Sequence, residues 1–272
     1  MTTRDDFGIS EVIRHLAARG GGGFEWYKDS CLLRRIEVRM RARGMGTVAG
    51  YAALLRDDPG EVDRLLHTLS VRVTEFFRNP DTWHRLSAVL AEAGVGAQGR
   101  ITAWSMGCAT GEEAWTLAML LLDHAARQGG QPSPEGIHVF ASDVDTEGIR
   151  TAQNGRYPAA AATVVRQVVG PGYGTVVDEE FRVDESVRQR VVFRREDLTA
   201  SRPPAGWCDV VCCRNVLIFL GREGQRRVLD IAIDALRPGG LLVLGRTESL
   251  IAQPRAALEH VDVTHRIFRR IG

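Results

Sequence analysis

The spacing of hydrophobic positions changes near residue 100. From Ile9 to about Leu69 they recur three and four residues apart, and β-branched runs are absent. Ile9, Ile13 and Leu16 mark a first helix, and Cys31, Leu32, Ile36 and Met40 a second that Gly44 ends. Val48, Tyr51, Leu54 and Leu55 mark a third, closed by Asp57-Asp58-Pro59-Gly60, and Val62, Leu65, Leu66 and Leu69 a fourth. This pattern predicts a small all-α domain, assigned to residues 1–80.

Beyond Arg100, short apolar runs alternate with longer helical stretches. Strands are expected at Ile101–Met106, Ile137–Ser142, Val191–Phe193, Asp209–Cys213, Leu241–Leu244 and Thr264–Arg269. Helices are expected over Glu112–Ala126, Thr146–Asn154 and Gln225–Leu236. The alternation implies an α/β fold, a mostly parallel, doubly wound sheet covered on both faces, over residues 81–272. Pro238-Gly239-Gly240 reads as a turn that starts a strand sharply. Tyr157–Arg190 lacks either period and reads as a small insertion within 157–190.

Composition narrows the function classes. Hydrophobic residues are 44% and charged residues 25%, as in ordinary globular proteins. A net charge of +1 gives no whole-molecule field toward nucleic acid or membrane. The five cysteines form no CxxC, and Cys212 and Cys213 sit in an apolar run, so buried thiols are expected. The seven histidines show no ligand spacing, so no metal is expected. Met1–Phe7 is polar and no run reaches membrane-spanning length, which makes the cytoplasm the expected compartment.

The chemistry concentrates in two loops. Trp104-Ser105-Met106-Gly107-Cys108-Ala109-Thr110-Gly111-Glu112-Glu113 ends the first strand and opens a helix, where doubly wound folds bind ligands. Gly107 and Gly111 let a ligand approach the backbone. Their GxxxG spacing matches neither the dehydrogenase fingerprint nor the P-loop. Helix N-termini often hold phosphate, but Glu112 and Glu113 would repel one here. A cationic ligand with hydroxyls suits the loop better, although both glutamates could simply favour the helix start. Phe140-Ala141-Ser142-Asp143-Val144-Asp145 ends the next strand, with Asp145 as the expected helix cap and Asp143 free to accept from ribose hydroxyls.

With these loops in place, the chain resembles the chemotaxis receptor methyltransferase (CheR) family over nearly its whole length. The likeness runs through Tyr27-Lys28-Asp29-Ser30-Cys31-Leu32-Leu33-Arg34-Arg35-Ile36, Val73-Thr74-Glu75-Phe76-Phe77-Arg78-Asn79-Pro80 and the two loops above. It continues in Cys213-Arg214-Asn215-Val216-Leu217-Ile218-Phe219 and in Pro238-Gly239-Gly240 through Gly245-Arg246-Thr247-Glu248. The resemblance implies a Rossmann-like class I methyltransferase domain behind the all-α domain, and a protein-glutamate O-methyltransferase that uses S-adenosylmethionine and releases S-adenosylhomocysteine.

It also implies roles for single residues. Thr74 and Arg78 would contact the cofactor, with Arg78 gripping its carboxylate. Glu113 would face the methionine end, Asp143 the ribose, and Asp197-Leu198 the adenine, while Arg214-Asn215 would line the same pocket. At least one of Phe76 and Phe77 reads as core. The chain departs from the family's pattern at four places: Arg72 replaces Asn, Asp197 replaces Asn, Phe219 replaces Tyr, and Ala114-Trp115 replace Pro-Tyr. Arg72 would fix the cofactor carboxylate beside Arg78 or else add charge near a cation. Phe219 removes a hydroxyl that the family places near the transferring methyl group.

A glutamate acceptor, titrating near pH ~4.3, is already ionised and needs no general base. Alignment and desolvation can supply ~7–11 kcal/mol of the barrier, which fits a chain without a His/Asp or Cys/His constellation. The basic surplus of Arg34, Arg35, Arg39, Arg41 and Arg43 could dock an acidic receptor helix, or could form a solvated face. Three functions fit at this point: methylation of receptor glutamates in the cytoplasm, methylation of a small or non-chemotactic carboxylate, or non-catalytic cofactor binding. None calls for nucleic acid or membrane insertion.

Overall fold

The computed structural model describes residues 4–18, 23–69, 74–129, 133–250 and 257–272. Helices α1 (Arg4–Ala18), α2 (Asp29–Ala42), α3 (Val48–Asp57) and α4 (Pro59–Leu69) form where the helical spacing places them. Thr47 caps α3 by accepting from Gly50 N at 3.1 Å. Pro59 opens α4, where its missing N–H costs nothing, and Asp58 Oδ1 accepts from Glu61 N at 3.1 Å. The helices bury Val12, Leu16, Leu32, Ile36, Tyr51, Leu55, Leu65 and Leu69 in one cluster.

A carboxylate sits inside this cluster. Glu61 is fully buried and accepts from Arg39 Nε at 2.8 Å and Nη2 at 2.9 Å, from Tyr51 Oη at 2.9 Å and from Arg64 Nε at 3.0 Å. Arg39, expected to dock a partner, therefore points at Glu61 with its guanidinium engaged twice, which removes it from a free basic face. Burial alone would raise the Glu61 pKa, but the hydrogen bonds from Arg39, Arg64 and Tyr51 outweigh it and bring it from 4.5 to about 2.

The second domain is built on a seven-stranded sheet. Its strands are β1 (Ile101–Met106), β2 (Ile137–Asp143), β6 (Val191–Arg195), β7 (Cys208–Cys213), β8 (Leu236–Leu244), β9 (Leu258–Asp262) and β10 (Ile267–Arg270). They lie in the order β6-β2-β1-β7-β8-β10-β9, parallel through β8 and antiparallel at β10 and β9. Ile101 and Ala103 face one core with helix α6 (Glu112–Arg127), while Trp104 and Met106 face the other with helix α10 (Arg222–Ala235). Helix α7 (Thr146–Asn154) connects β2 toward β6 and has the expected bounds.

Three features go beyond the sequence expectations. Helix α5 (Pro80–Glu92) follows the linker and buries Trp83, Leu86, Val89 and Leu90 against the sheet. Phe76 and Phe77 already belong to that core, so side chains before residue 80 pack with the second domain. The insertion holds a three-stranded antiparallel sheet, β3 (Arg156–Pro158), β5 (Glu180–Val183) and β4 (Gly174–Val177) in that spatial order, with helices α8 (Ala161–Val169) and α9 (Glu185–Arg188). Pro238-Gly239-Gly240 is a bulge inside β8 rather than a turn before it: Cys208 pairs with Leu236 and Val210 with Leu241, and the intervening residues loop out. All five cysteines are free thiols, with Cys108, Cys208, Cys212 and Cys213 buried.

The Glu61 network has a pH signature. A depressed native pKa stabilises the fold above the unfolded value of 4.5, and that contribution disappears as pH falls toward about 2. Replacing Glu61 with Ala leaves Arg39 and Tyr51 facing an empty acceptor site and should cost about 3 kcal/mol in urea denaturation at pH 7. The same variant should also flatten the fall of stability with pH below 4.5.

Candidate active site

The chain runs outward from β1 to β2 and β6, then returns to β7 on the other side of β1. Doubly wound sheets bind ligands at such a reversal. A cleft opens there, at the carboxyl ends of the strands. Gly107 and Ala109 line it after β1, Asp143 to Asp145 at the end of β2, Glu196 to Thr199 after β6, and Asn215, Val216 and Phe219 after β7. The helical domain supplies Gly23, Tyr27 and Leu69.

Side-chain carboxylates hold the loops in place. Asp143 Oδ2 accepts from Ala109 N and Oδ1 from Asp145 N, both at 2.9 Å, so one residue ties the β1 loop to the β2 loop. Gly107 N and Cys108 N both donate to Ser142 O, at 2.8 and 3.0 Å. Gly107 has φ +73°, and a Cβ there would meet Val216 Cγ2 at 2.5 Å. Asp145 caps α7 through Glu147 N at 3.1 Å. Asp197 Oδ1 accepts from Thr199 N at 2.8 Å and Oγ1 at 2.7 Å. Burial raises the Asp143 pKa, against the lowering effect of its bonds from Asp145 and Ala109.

Charge defines what the cleft accepts. Asp143, Asp145, Glu196 and Asp197 line it, and no Lys or Arg does so among the described residues. Glu196 Oε2 is a buried acceptor with no partner among them. This set of acceptors suits a ligand that offers hydroxyls, amino groups and positive charge, and disfavours a phosphate. S-adenosylmethionine, with its ribose, adenine, sulfonium and ammonium, fits these residues.

Beside the cleft, Arg214 gathers a second cluster. Its side chain is almost fully buried; Nη1 lies 3.4 Å from Glu113 Oε2, and Nη2 donates to Arg78 O at 2.7 Å and Asn79 Oδ1 at 3.2 Å. The guanidinium stacks 4.8 Å over the Trp83 ring. Ser105 Oγ donates to Glu113 Oε1 at 2.9 Å. Burial raises the Glu113 pKa, while Arg214 and Ser105 pull against it.

The sequence-predicted residues thus separate into groups. Gly107, Asp143, Asp197, Leu198, Asn215 and Phe219 share the cleft. Glu113, Arg214 and the backbone of Arg78 meet next to it. Thr74 lines a different hollow, with Phe76, Phe77, Tyr157 and Val164. Arg72 lies outside the described residues. On α2, Arg34 is exposed and Arg35 partly exposed, away from the cleft lining. Trp115 is buried, its Nε1 donating to Tyr157 Oη at 2.9 Å, so this departure from the family pattern serves packing.

Sequence reasoning gave no role to Gly23, Tyr27, Leu69 or Glu248. The first three are brought to the cleft only by domain packing. Glu248 is 3% exposed and accepts from Gly245 N at 2.7 Å, Asn215 N at 2.8 Å and Ile218 N at 3.3 Å. It secures the cleft-lining turn, in which Asn215 has φ +60°. A glutamate so close behind Gly245 was the available signal.

Comparison with known proteins agrees with this geometry. The family model for the CheR methyltransferase SAM binding domain matches residues 72–267, and that for the CheR methyltransferase all-alpha domain matches residues 9–70. The chain is 34% identical over 268 residues to an uncharacterized 104.1 kDa protein in the hypE 3′ region of Rhodobacter capsulatus; the match covers 97% of this chain but 27% of that protein. It is 30% identical over 253 residues to a chemotaxis protein methyltransferase of Klebsiella aerogenes, covering 89% and 81% of the two chains. It is also 30% identical over 255 residues to chemotaxis protein methyltransferase 2 of Pseudomonas aeruginosa, covering 92% and 88%.

Replacing Glu248 with Ala should leave three inward-facing N–H groups without an acceptor and cost about 2 kcal/mol. Hydrogen exchange reads this directly: the amides of Asn215, Ile218 and Gly245 should exchange faster, while that of Ala109, held by Asp143, should not change.

Proposed function

The chain belongs to the CheR methyltransferase family, and on that premise we propose that it methylates glutamate side chains of methyl-accepting chemotaxis receptors. It is an S-adenosylmethionine-dependent methyltransferase. The observation that carries the assignment is the acidic cleft at the sheet reversal, which welcomes a cationic nucleoside and disfavours a phosphate.

The residues divide the work by position. Asp143 takes the ribose hydroxyls, as its placement at the end of β2 suits. Asp197 and Leu198 flank the adenine, and Gly107 lets the ligand lie against the backbone. Glu113 and Arg214, with Arg78, serve the methionine end, where the family resemblance also places Arg72; Thr74, which lines a separate hollow, takes no part. When bound, S-adenosylmethionine supplies an activated methyl group, and S-adenosylhomocysteine is released. Phe219 and Asn215 form the wall beside the reacting end, where Phe219 excludes water and offers no proton. None is needed, because the acceptor carboxylate is already ionised at neutral pH. The protein's contribution is alignment and desolvation.

The acceptor is a protein, and we assign its docking to the exposed part of α2, using Arg34, Arg35 and Arg41 against an acidic receptor helix. Arg39 takes no part, since Glu61 holds it. Among the described residues no helix is long and apolar enough to cross a membrane. We place the enzyme in the cytoplasm, at the receptors' cytoplasmic helices.

Incubation with methyl-labelled cofactor and a receptor cytoplasmic fragment tests the function. Base-labile label on the fragment is expected; label on a small acid instead, or tight cofactor binding with no transfer, would refute it. Charge reversal of Arg34 and Arg35 together should lower receptor methylation about tenfold, given ~1 kcal/mol or less for each exposed pair. Cofactor affinity, measured by calorimetry, should not change in that variant.

A further inference from the structure

A short segment of the helical domain forms one wall of the cleft. It starts at Gly23, whose φ is +79° and where a Cβ would lie 2.7 Å from Asp197 Oδ1 and 2.9 Å from Thr199 Oγ1. A single 3-10 turn, Phe24–Trp26, leads into Tyr27. Backbone bonds then fasten the segment to the second domain. Gly221 N donates to Trp26 O at 2.7 Å, Lys28 N donates to Phe219 O at 2.9 Å, and Tyr27 pairs antiparallel with Leu220 between them. Lys28 Nζ donates to Ile218 O at 2.7 Å, and the Arg227 guanidinium lies 5.6 Å over the Trp26 ring.

Tyr27 is therefore fixed on both sides by backbone pairing, and its ring rests 5.0 Å from that of Phe24. It faces the cleft with Asp143 and Asp197. Its hydroxyl makes no hydrogen bond to any described residue. Burial, then the charges of Asp143 and Asp197, push its pKa well up, so it remains a protonated donor throughout the working range. The side chain is partly buried, and its polar tip is open to a hydrogen-bond partner from the cleft. Here the rigid setting holds a donor beside two carboxylates, in the half of the cleft that suits a nucleoside.

We propose that Tyr27 is a cofactor-contacting residue contributed by the helical domain, its hydroxyl hydrogen-bonding the nucleoside half of S-adenosylmethionine. The proposal rests on the cofactor assignment made above. It assigns part of nucleoside recognition to a domain that otherwise serves the protein acceptor, and α2 begins at Asp29, two residues beyond Tyr27.

The test is calorimetry on the full chain and on Tyr27→Phe, which removes the hydroxyl and keeps the ring. Two probes are titrated: S-adenosylhomocysteine, and 5′-methylthioadenosine, which keeps the nucleoside and lacks the amino-acid tail. The variant should bind both about three- to tenfold more weakly, the range of one neutral hydrogen bond, with its Tm shifted by no more than about a degree. Unchanged affinity for both probes would overturn the proposal. So would weakened binding of S-adenosylhomocysteine alone, which would place the hydroxyl at the methionine end. Failure of the unmodified chain to bind S-adenosylhomocysteine would refute the cofactor assignment itself, and this proposal with it.

Discussion

One buried guanidinium sets the geometry on which the site depends. Arg214 leaves the end of β7 and bonds Glu113 at the start of α6, the Arg78 carbonyl and the Asn79 side chain in the linker, and lies over Trp83 in α5. Arginine stays charged in any setting, so its burial requires an ionised partner and several acceptors. Glu113 supplies the charge against a burial effect that favours its neutral form. The linker and two helices are thereby held at fixed positions relative to the strand that carries Asn215 and Phe219.

The same economy of means recurs around the cleft, where carboxylates accept backbone N–H groups. Asp143 joins two loops, Glu248 holds the turn after β7, Asp145 starts α7, and Asp197 closes the turn before Thr199. These anchors sit next to residues in the left-handed region, Ala109 at φ +49° and Asn215 at φ +60°. Non-glycine residues hold such conformations only where their surroundings over-determine them. The acidity of the cleft thus has two origins in one set of side chains, which shape the loops and also define the charge a ligand meets.

Much of this was legible in the sequence, for physical reasons. Parallel strands buried on both faces are continuous apolar runs, so β1 and β7 stand out, and α7 is bounded by a capping aspartate and a following glycine. Helix α5 was missed although Trp83, Leu86, Val89 and Leu90 keep helical spacing, because the motif before it drew the domain boundary at residue 80. The small sheet carries mixed polar strands whose pairing is tertiary, and β8 absorbs its Pro-Gly-Gly as a bulge that no local rule distinguishes from a turn. Asp143 was readable from its place after a strand. Tyr27 was not, since its approach to Asp143 and Asp197 depends on how two domains meet. Arg39 misled because a buried glutamate in an amphipathic helix looks the same in sequence as an exposed one.

The backbone stitching of residues 26–28 to 219–221 also limits how evolution can handle this enzyme. A catalytic domain cut away before its sheet would lose Gly23, Tyr27 and Leu69 from the wall of its own cleft, and would expose the carbonyls of Ile218 and Phe219. The smallest portion that can be moved into another protein is therefore the helical domain and the sheet domain together. The similarity to the Rhodobacter capsulatus protein likewise runs across both domains, covering 97% of this chain and 27% of that longer polypeptide.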